Sequence, residues 1–160
     1  MKSISLLISI LFSFFNYAPP SCDKNMPADM RLDFVNEQNI ALDGHDVTAF
    51  FTDNQVVKGN PNYASQMDGI TYHFASEKAK QMFDENPTKY IPQFGGFYAV
   101  AASFNKVEPV QLGLFDVYED KLYFSRNEKA QKIWNKKKKK TKKRADKLWP
   151  CLVIDNGRKI

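Results

Sequence analysis

The stretch DGITYHFASEKAKQMFDENP, residues 68–87, reads as turn, strand, cap, helix and stop in unbroken succession. Asp68-Gly69 is a turn dipeptide. Ile70–Phe74 alternates, so Ile70, Tyr72 and Phe74 share one face while Thr71 and His73 share the other. Ser76 is a good N-cap, and Glu77 suits the positive end of the helix that follows. Ala79, Met82 and Phe83 fall at helical spacing, and Asn86-Pro87 ends the run and starts another short turn through Tyr90 and Ile91. A strand delivering its chain straight into a capped helix points to an α+β fold.

Upstream, Val47–Thr52 is β-prone, Gln55–Lys58 is its expected partner, and Asn60-Pro61 looks like a helix or turn start. Downstream, Pro92–Gly96 is a loop and the small apolar run Phe97–Phe104 reads as a buried helix. Leu114–Tyr118 and Lys121–Ser125 flank Glu119-Asp120 as a hairpin. Asn127 to about Lys147 reads as a long basic helix with Ile133, Trp134, Ala145 and Leu148 inward, ended by Trp149-Pro150. No internal repeat is read from the sequence. The expectation is a single domain with a small antiparallel sheet packed with helices.

The chain has 160 residues, 43% of them apolar and 13 of them Phe, enough for one ring-rich core. Its first part stands outside that core. Lys2 precedes the apolar run Ile4–Phe15, which is too short for a bilayer span of about 20 residues. A charged start, a short apolar run and a small-residue exit make residues 1–21 a signal peptide. Export then leaves periplasmic, lipid-anchored and secreted locations open. Cys22 is either the acylated residue of a lipoprotein anchor or the partner of Cys151, the other of the two cysteines, in a disulfide. Setting aside Lys2 and the eight cations of Lys136–Arg144 turns the net charge of +5 into −4, so one segment makes an otherwise acidic protein basic. A nucleic-acid reader spreads its charge over a recognition face, so nucleic acid is not an expected partner.

From Ala41 to Trp149 the chain resembles the extracytoplasmic YHS-domain proteins. The likeness is carried by ALDGHDVTAFF (41–51), VKGNPNY (57–63), DGITYHFASEKAKQMFDENPTKYIPQFGGFYA (68–99), DKLYFS (120–125) and the WP at 149–150. The resemblance implies a YHS-like domain over 40–150 with a basic C-terminal helix; the polar, irregular segment 22–39 before it reads as a tether, and 151–160 is left as a tail. The resemblance also implies metal handling. Relatives often carry Phe-Cys-Ser-x-x-Cys at the strand-to-helix corner; here Ala75 and Ala79 stand in the thiol positions. Tyr98 stands where relatives often have a third Cys, and His45 where they often have Tyr.

Any metal role must therefore use nitrogen and oxygen. The candidate ligands are His45, Asp46 and His73, with copper or zinc as the cofactor and none as the alternative. Against this stand a structural imidazole for His73 and an Asx-type turn for Asp43 and Asp46. Gly95-Gly96 lacks the lysine of a phosphate loop and reads as a tight turn. No nucleophile, base and orienting group occur together in a motif, so the chain is read as non-catalytic. The second function class is a metal-free binding or scaffold module of the cell envelope. It would touch an anionic surface or an envelope protein through Lys136, Lys137, Lys138, Lys139, Lys140, Lys142, Lys143 and Arg144, a run dense enough to wrap its helix and fray it by self-repulsion.

Overall fold

The computed structural model describes residues 22, 24, 25 and 28–159; the signal peptide expected over 1–21 lies outside them. In chain order the elements are β1 (Met30–Arg31), a 3-10 turn at Leu42–Gly44, α1 (Ala49–Thr52), β2 (Asn60–Met67), β3 (Ile70–Phe74), α2 (Glu77–Glu85) and α3 (Pro87–Tyr90). A second 3-10 turn at Gln93–Gly96 follows, then α4 (Ala99–Ala102), β4 (Gln111–Tyr118), β5 (Lys121–Ser125), α5 (Glu128–Asn156) and β6 (Arg158–Lys159). The fold is α+β, and its strands form three antiparallel pairs, β1 with β6, β2 with β3 and β4 with β5. The stretch 68–87 folds as its sequence dictates. Ile70, Tyr72 and Phe74 are buried, the Ala79 N–H donates to Ser76 Oγ at 3.2 Å, and α2 stops at Asn86.

This architecture contains an internal repeat. The boundaries of β2, β3 and the start of α2 recur 51 residues later in β4, β5 and α5. Each hairpin closes on two residues at positive φ, Asp68-Gly69 and Glu119-Asp120. Each slips register at the same place, from Asn60↔Phe74 to Ala64↔His73 and from Gln111↔Ser125 to Phe115↔Phe124. Each helix is capped alike, Asn127 Oδ1 accepting from Ala130 N at 2.9 Å as Ser76 does from Ala79. Tyr72 packs on Phe83 with ring centroids 4.8 Å apart, and Tyr123 on Trp134 at 4.6 Å, both tilted by 33°. Both units open with a turn at positive φ, Leu42-Asp43-Gly44 and Phe94-Gly95-Gly96, followed by one helical turn. The one non-helical residue inside α5, Lys137 (φ −140°), stands 51 positions after Asn86 (φ −151°), where α2 ends. The matching residues are Tyr72/Tyr123, Glu77/Glu128, Lys78/Lys129, Ala79/Ala130 and the aromatic pair Phe83/Trp134.

The repeat divides the core. One cluster gathers Phe50, Tyr72, Phe74 and Phe83 with Leu122 and Phe124 reaching in from β5. The other gathers Phe94, Ala99, Ala102, Tyr123, Trp134 and Ala145. Alternation along β5 explains this. Leu122 and Phe124 face the first cluster and Tyr123 the second, so the strand is buried on both sides.

Several expectations are corrected. Residues 49–52 form a helical turn rather than a strand, because the Asp46 side chain takes the Thr48 N–H and bends the chain at that point. Asn60-Pro61 begins a strand, not a helix. The segment expected as a tether is built into the fold: β1 pairs with β6, and Phe34 N–H donates to Gly95 O at 2.7 Å. The approach is so close that a methyl group on Gly95 would overlap the Leu32 carbonyl. Trp149-Pro150 does not end α5, and of the tail expected over 151–160 the residues up to Asn156 belong to that helix. Leu152 and Val153 are buried and Cys151 is disulfide-bonded, which holds the helix through the proline to Asn156.

Candidate functional site

The strand-to-helix corner is built around Asp46, which is 1% exposed. Its Oδ1 accepts from Thr48 N at 2.8 Å and Thr48 Oγ1 at 2.7 Å, and its Oδ2 accepts from Ala75 N at 2.8 Å. Three converging donors are the environment of a buried carboxylate. Both oxygens are engaged, so Asp46 is a strut joining the start of α1 to the end of β3. The Asx-type turn expected as the alternative to a ligand role is present at Asp46. Both alanines of this corner have backbone duties. Ala75 N–H serves Asp46, and Ala79 N–H serves the Ser76 cap.

His45 Nδ1 lies 2.8 Å from Leu42 O, an acceptor, so this nitrogen carries the proton and donates. His73 packs between two glycines. A methyl group on Gly44 would come within 2.9 Å of its Nδ1, and one on Gly59 within 2.5 Å of its carbonyl carbon. Burial and then the Lys58 ammonium push the His73 imidazole below its usual pKa. The His73 ring thus lies against Gly44, the residue that precedes His45 in the chain. Among the described residues no group of three or more His, Cys, Asp or Glu could hold an ion together.

Cys22 is joined to Cys151 by a disulfide with Cα atoms 5.8 Å apart. Of the two alternatives for Cys22, the disulfide with Cys151 is the one present in the structure. No helix among the described residues is long and apolar enough to cross a membrane. A cleft of about 450 Å³ runs beneath β1 past Phe94 and Trp149. Its carboxylates are already paired: Arg31 forks onto Asp33 at 3.0 and 3.1 Å and reaches Asp68, while Lys142 holds Asp146. Burial beside this cluster, with Asp33 adding to it, pushes the Tyr72 hydroxyl up to about 12.

The basic helix sorts its charges by face. Ala130, Trp134, Thr141, Ala145, Leu148 and Leu152 make a buried stripe at steps of three, four and seven. This stripe continues on both sides of the kink at Lys137, and the helix resumes beyond it through the rest of the lysine run. Lys138 and Lys142 lie on the flank where Asp116 and Asp146 stand, and they pair with them at 2.7 and 2.9 Å. Lys138 also lies over the Tyr118 ring, and Arg144 lies over the Phe104 ring at 4.8 Å. Lys136, Lys137, Lys139, Lys140 and Lys143 are exposed and make no ion pair among the described residues. The helix thus presents an unneutralised cationic ridge on a rigid mount.

Two residues escaped the sequence reading. Ile133, expected inward, is 39% exposed, and Phe104, expected as the end of a buried helix, is 55% exposed. The signal for Ile133 was its place off the 130–134–141 stripe; none marked Phe104. Compared with family models, curated proteins and solved structures, the chain finds no match.

Proposed function

We propose that this chain is an exported, non-catalytic YHS-type binding module that presents the α5 ridge to an anionic surface of the cell envelope. One observation carries this reading: five lysines of the 136–144 run are exposed on α5 without an ion pair among the described residues, in a protein whose net charge apart from Lys2 and that run is −4. A dense cationic run is costly unless something meets it. Each helical neighbour at i+3 or i+4 repels the next, by a few tenths of a kcal/mol per pair. The repeat adds weight. The first unit ends its helix at Asn86, whereas the second continues α5 from the equivalent point at Lys137 through the lysine tract. Much of the tract is thus extra to the folding unit. The disulfide fits an oxidising, extracytoplasmic location.

Metal handling, which the family resemblance implies, is not the reading the corner supports, because Asp46 is committed to three donors. The test is co-sedimentation with anionic vesicles and with a soluble polyanion across a salt series. Binding should fall steeply as the Debye length shrinks from about 10 Å at 0.1 M salt to about 3 Å at 1 M. It should be abolished when Lys136, Lys137, Lys139 and Lys140 are changed together to Gln. Binding that survives high salt, or survives that variant, refutes the proposal.

A further inference from the structure

Beside the lysine ridge the protein leaves apolar surface in water. Ile133, before the kink at Lys137, lines a groove together with Phe104, and Arg144, after it, lies over the Phe104 ring, so both stand on one flank of α5. This flank faces α4, not the side where Asp116 and Asp146 neutralise Lys138 and Lys142. Phe104 stands just past α4 with its ring under the Arg144 guanidinium, and it is more exposed than any other large apolar residue described. Tyr98, Val100, Phe104 and Ile133 line a shallow groove of about 490 Å³ together with Lys106 and with Arg126, which is paired to Glu108.

From this juxtaposition we infer that the α4–α5 face docks on an anionic phospholipid bilayer, with Phe104 and Ile133 entering the headgroup layer and the lysine ridge lying over the phosphates. The inference rests on the proposed binding role of α5 and names its partner. Charge alone would suit any polyanion. The apolar pair is what selects a bilayer, because a soluble polyanion offers nowhere to bury a phenyl ring, whereas the interface of a membrane does. The side chains around Phe104 fit such a boundary. Arg144 and the lysines are long enough to lay their stems along the ring and keep their charges at phosphate level. The guanidinium already covering Phe104 makes no ion pair among the described residues, so it is free to meet a phosphate.

The test uses the disulfide-bonded chain from Cys22 onward, since the described core, its hydrogen bonds and the disulfide all lie within it and the apolar run 4–15 would itself enter lipid. The probes are zwitterionic vesicles, vesicles with about a third anionic phospholipid, and a soluble polyanion of matched charge. The wild-type chain should bind the anionic vesicles and leave the zwitterionic ones. Phe104→Ser should weaken vesicle binding about tenfold, the transfer of the half of the ring still in water. Polyanion binding should stay within about twofold of wild type, since the charges are untouched. Each Lys→Gln on the ridge should cost about fivefold on vesicles. Phe104→Trp should retain binding and shift its emission to the blue on vesicles alone, which checks insertion in a variant that keeps an aromatic ring. Equal vesicle binding by Phe104→Ser and wild type, or no blue shift for Phe104→Trp, overturns the bilayer inference while leaving the ridge as a polyanion site. Binding to the polyanion but to no vesicle does the same. Failure to bind either probe overturns the ridge itself.

Discussion

Replacing Asp46 by Asn keeps the shape of the side chain and removes half of what it does. One amide oxygen can still accept from Thr48 N and Oγ1, but the amide nitrogen then faces the Ala75 N–H, donor against donor. A hydrogen bond to a charged group contributes about 1.5–3 kcal/mol, and a buried donor left without a partner costs about 1–3 kcal/mol. The terms overlap, so the expected loss is about 3 kcal/mol. For a chain of this size that lowers Tm by roughly 6–12 °C. The assay is urea unfolding followed by the fluorescence of Trp134, which is 1% exposed and reports on the core. The midpoint should fall with the slope unchanged. The same variant tests the ligand reading. If Asp46 bound an ion, copper or zinc would raise the wild-type midpoint by mass action and leave Asp46→Asn unmoved. For a strut, wild type and variant respond alike to either metal. A loss under about 1 kcal/mol, or one seen only with metal present, refutes the role of Asp46 as a structural acceptor.

Two further outcomes follow from the geometry. The disulfide closes a loop spanning 129 positions, so Cys151→Ser should cost about 5 kcal/mol in the chain-entropy model, measured as the urea midpoint of the variant against the oxidised wild type; an unchanged midpoint would mean the bridge constrains nothing. His73 binds its proton less readily folded than unfolded, so it contributes stability that is complete above its unfolded pKa of about 6.5 and is lost as pH falls through that value towards the folded one. The urea midpoint of wild type should therefore drop more than that of His73→Gln between about pH 7.5 and pH 5.5, and equal drops would show that the imidazole is indifferent to its charge.

The parts of this protein legible in its sequence are those decided within a few residues. The register of β3, the Ser76 cap, the stop at Asn86-Pro87 and the hairpin over 114–125 each follow from local sterics and local hydrogen bonds, and each stands in the structure where it was expected. The repeat was also written there, as Tyr-x4-Glu-Lys-Ala-x3-aromatic at 72–83 and again at 123–134. It was masked because the second hairpin is followed by a lysine tract where the first is followed by Asn-Pro.

What needed the tertiary structure were choices between partners distant in the chain. Nothing local to Asp46 says that its second oxygen will meet Ala75, 29 positions on, and that contact turns a candidate ligand into a strut. Nothing local to Cys22 says that Cys151 will lie beside it. The lysine run reads as self-repelling until a buried stripe holds its helix and Asp116 and Asp146 neutralise one flank, which leaves the other flank charged next to Phe104. The sequence by itself determined the elements, because backbone propensity, caps and side-chain alternation act over short range. Only the tertiary structure decided which polar groups are engaged and which remain free, because a donor finds its acceptor across the core, between residues that the chain order keeps apart.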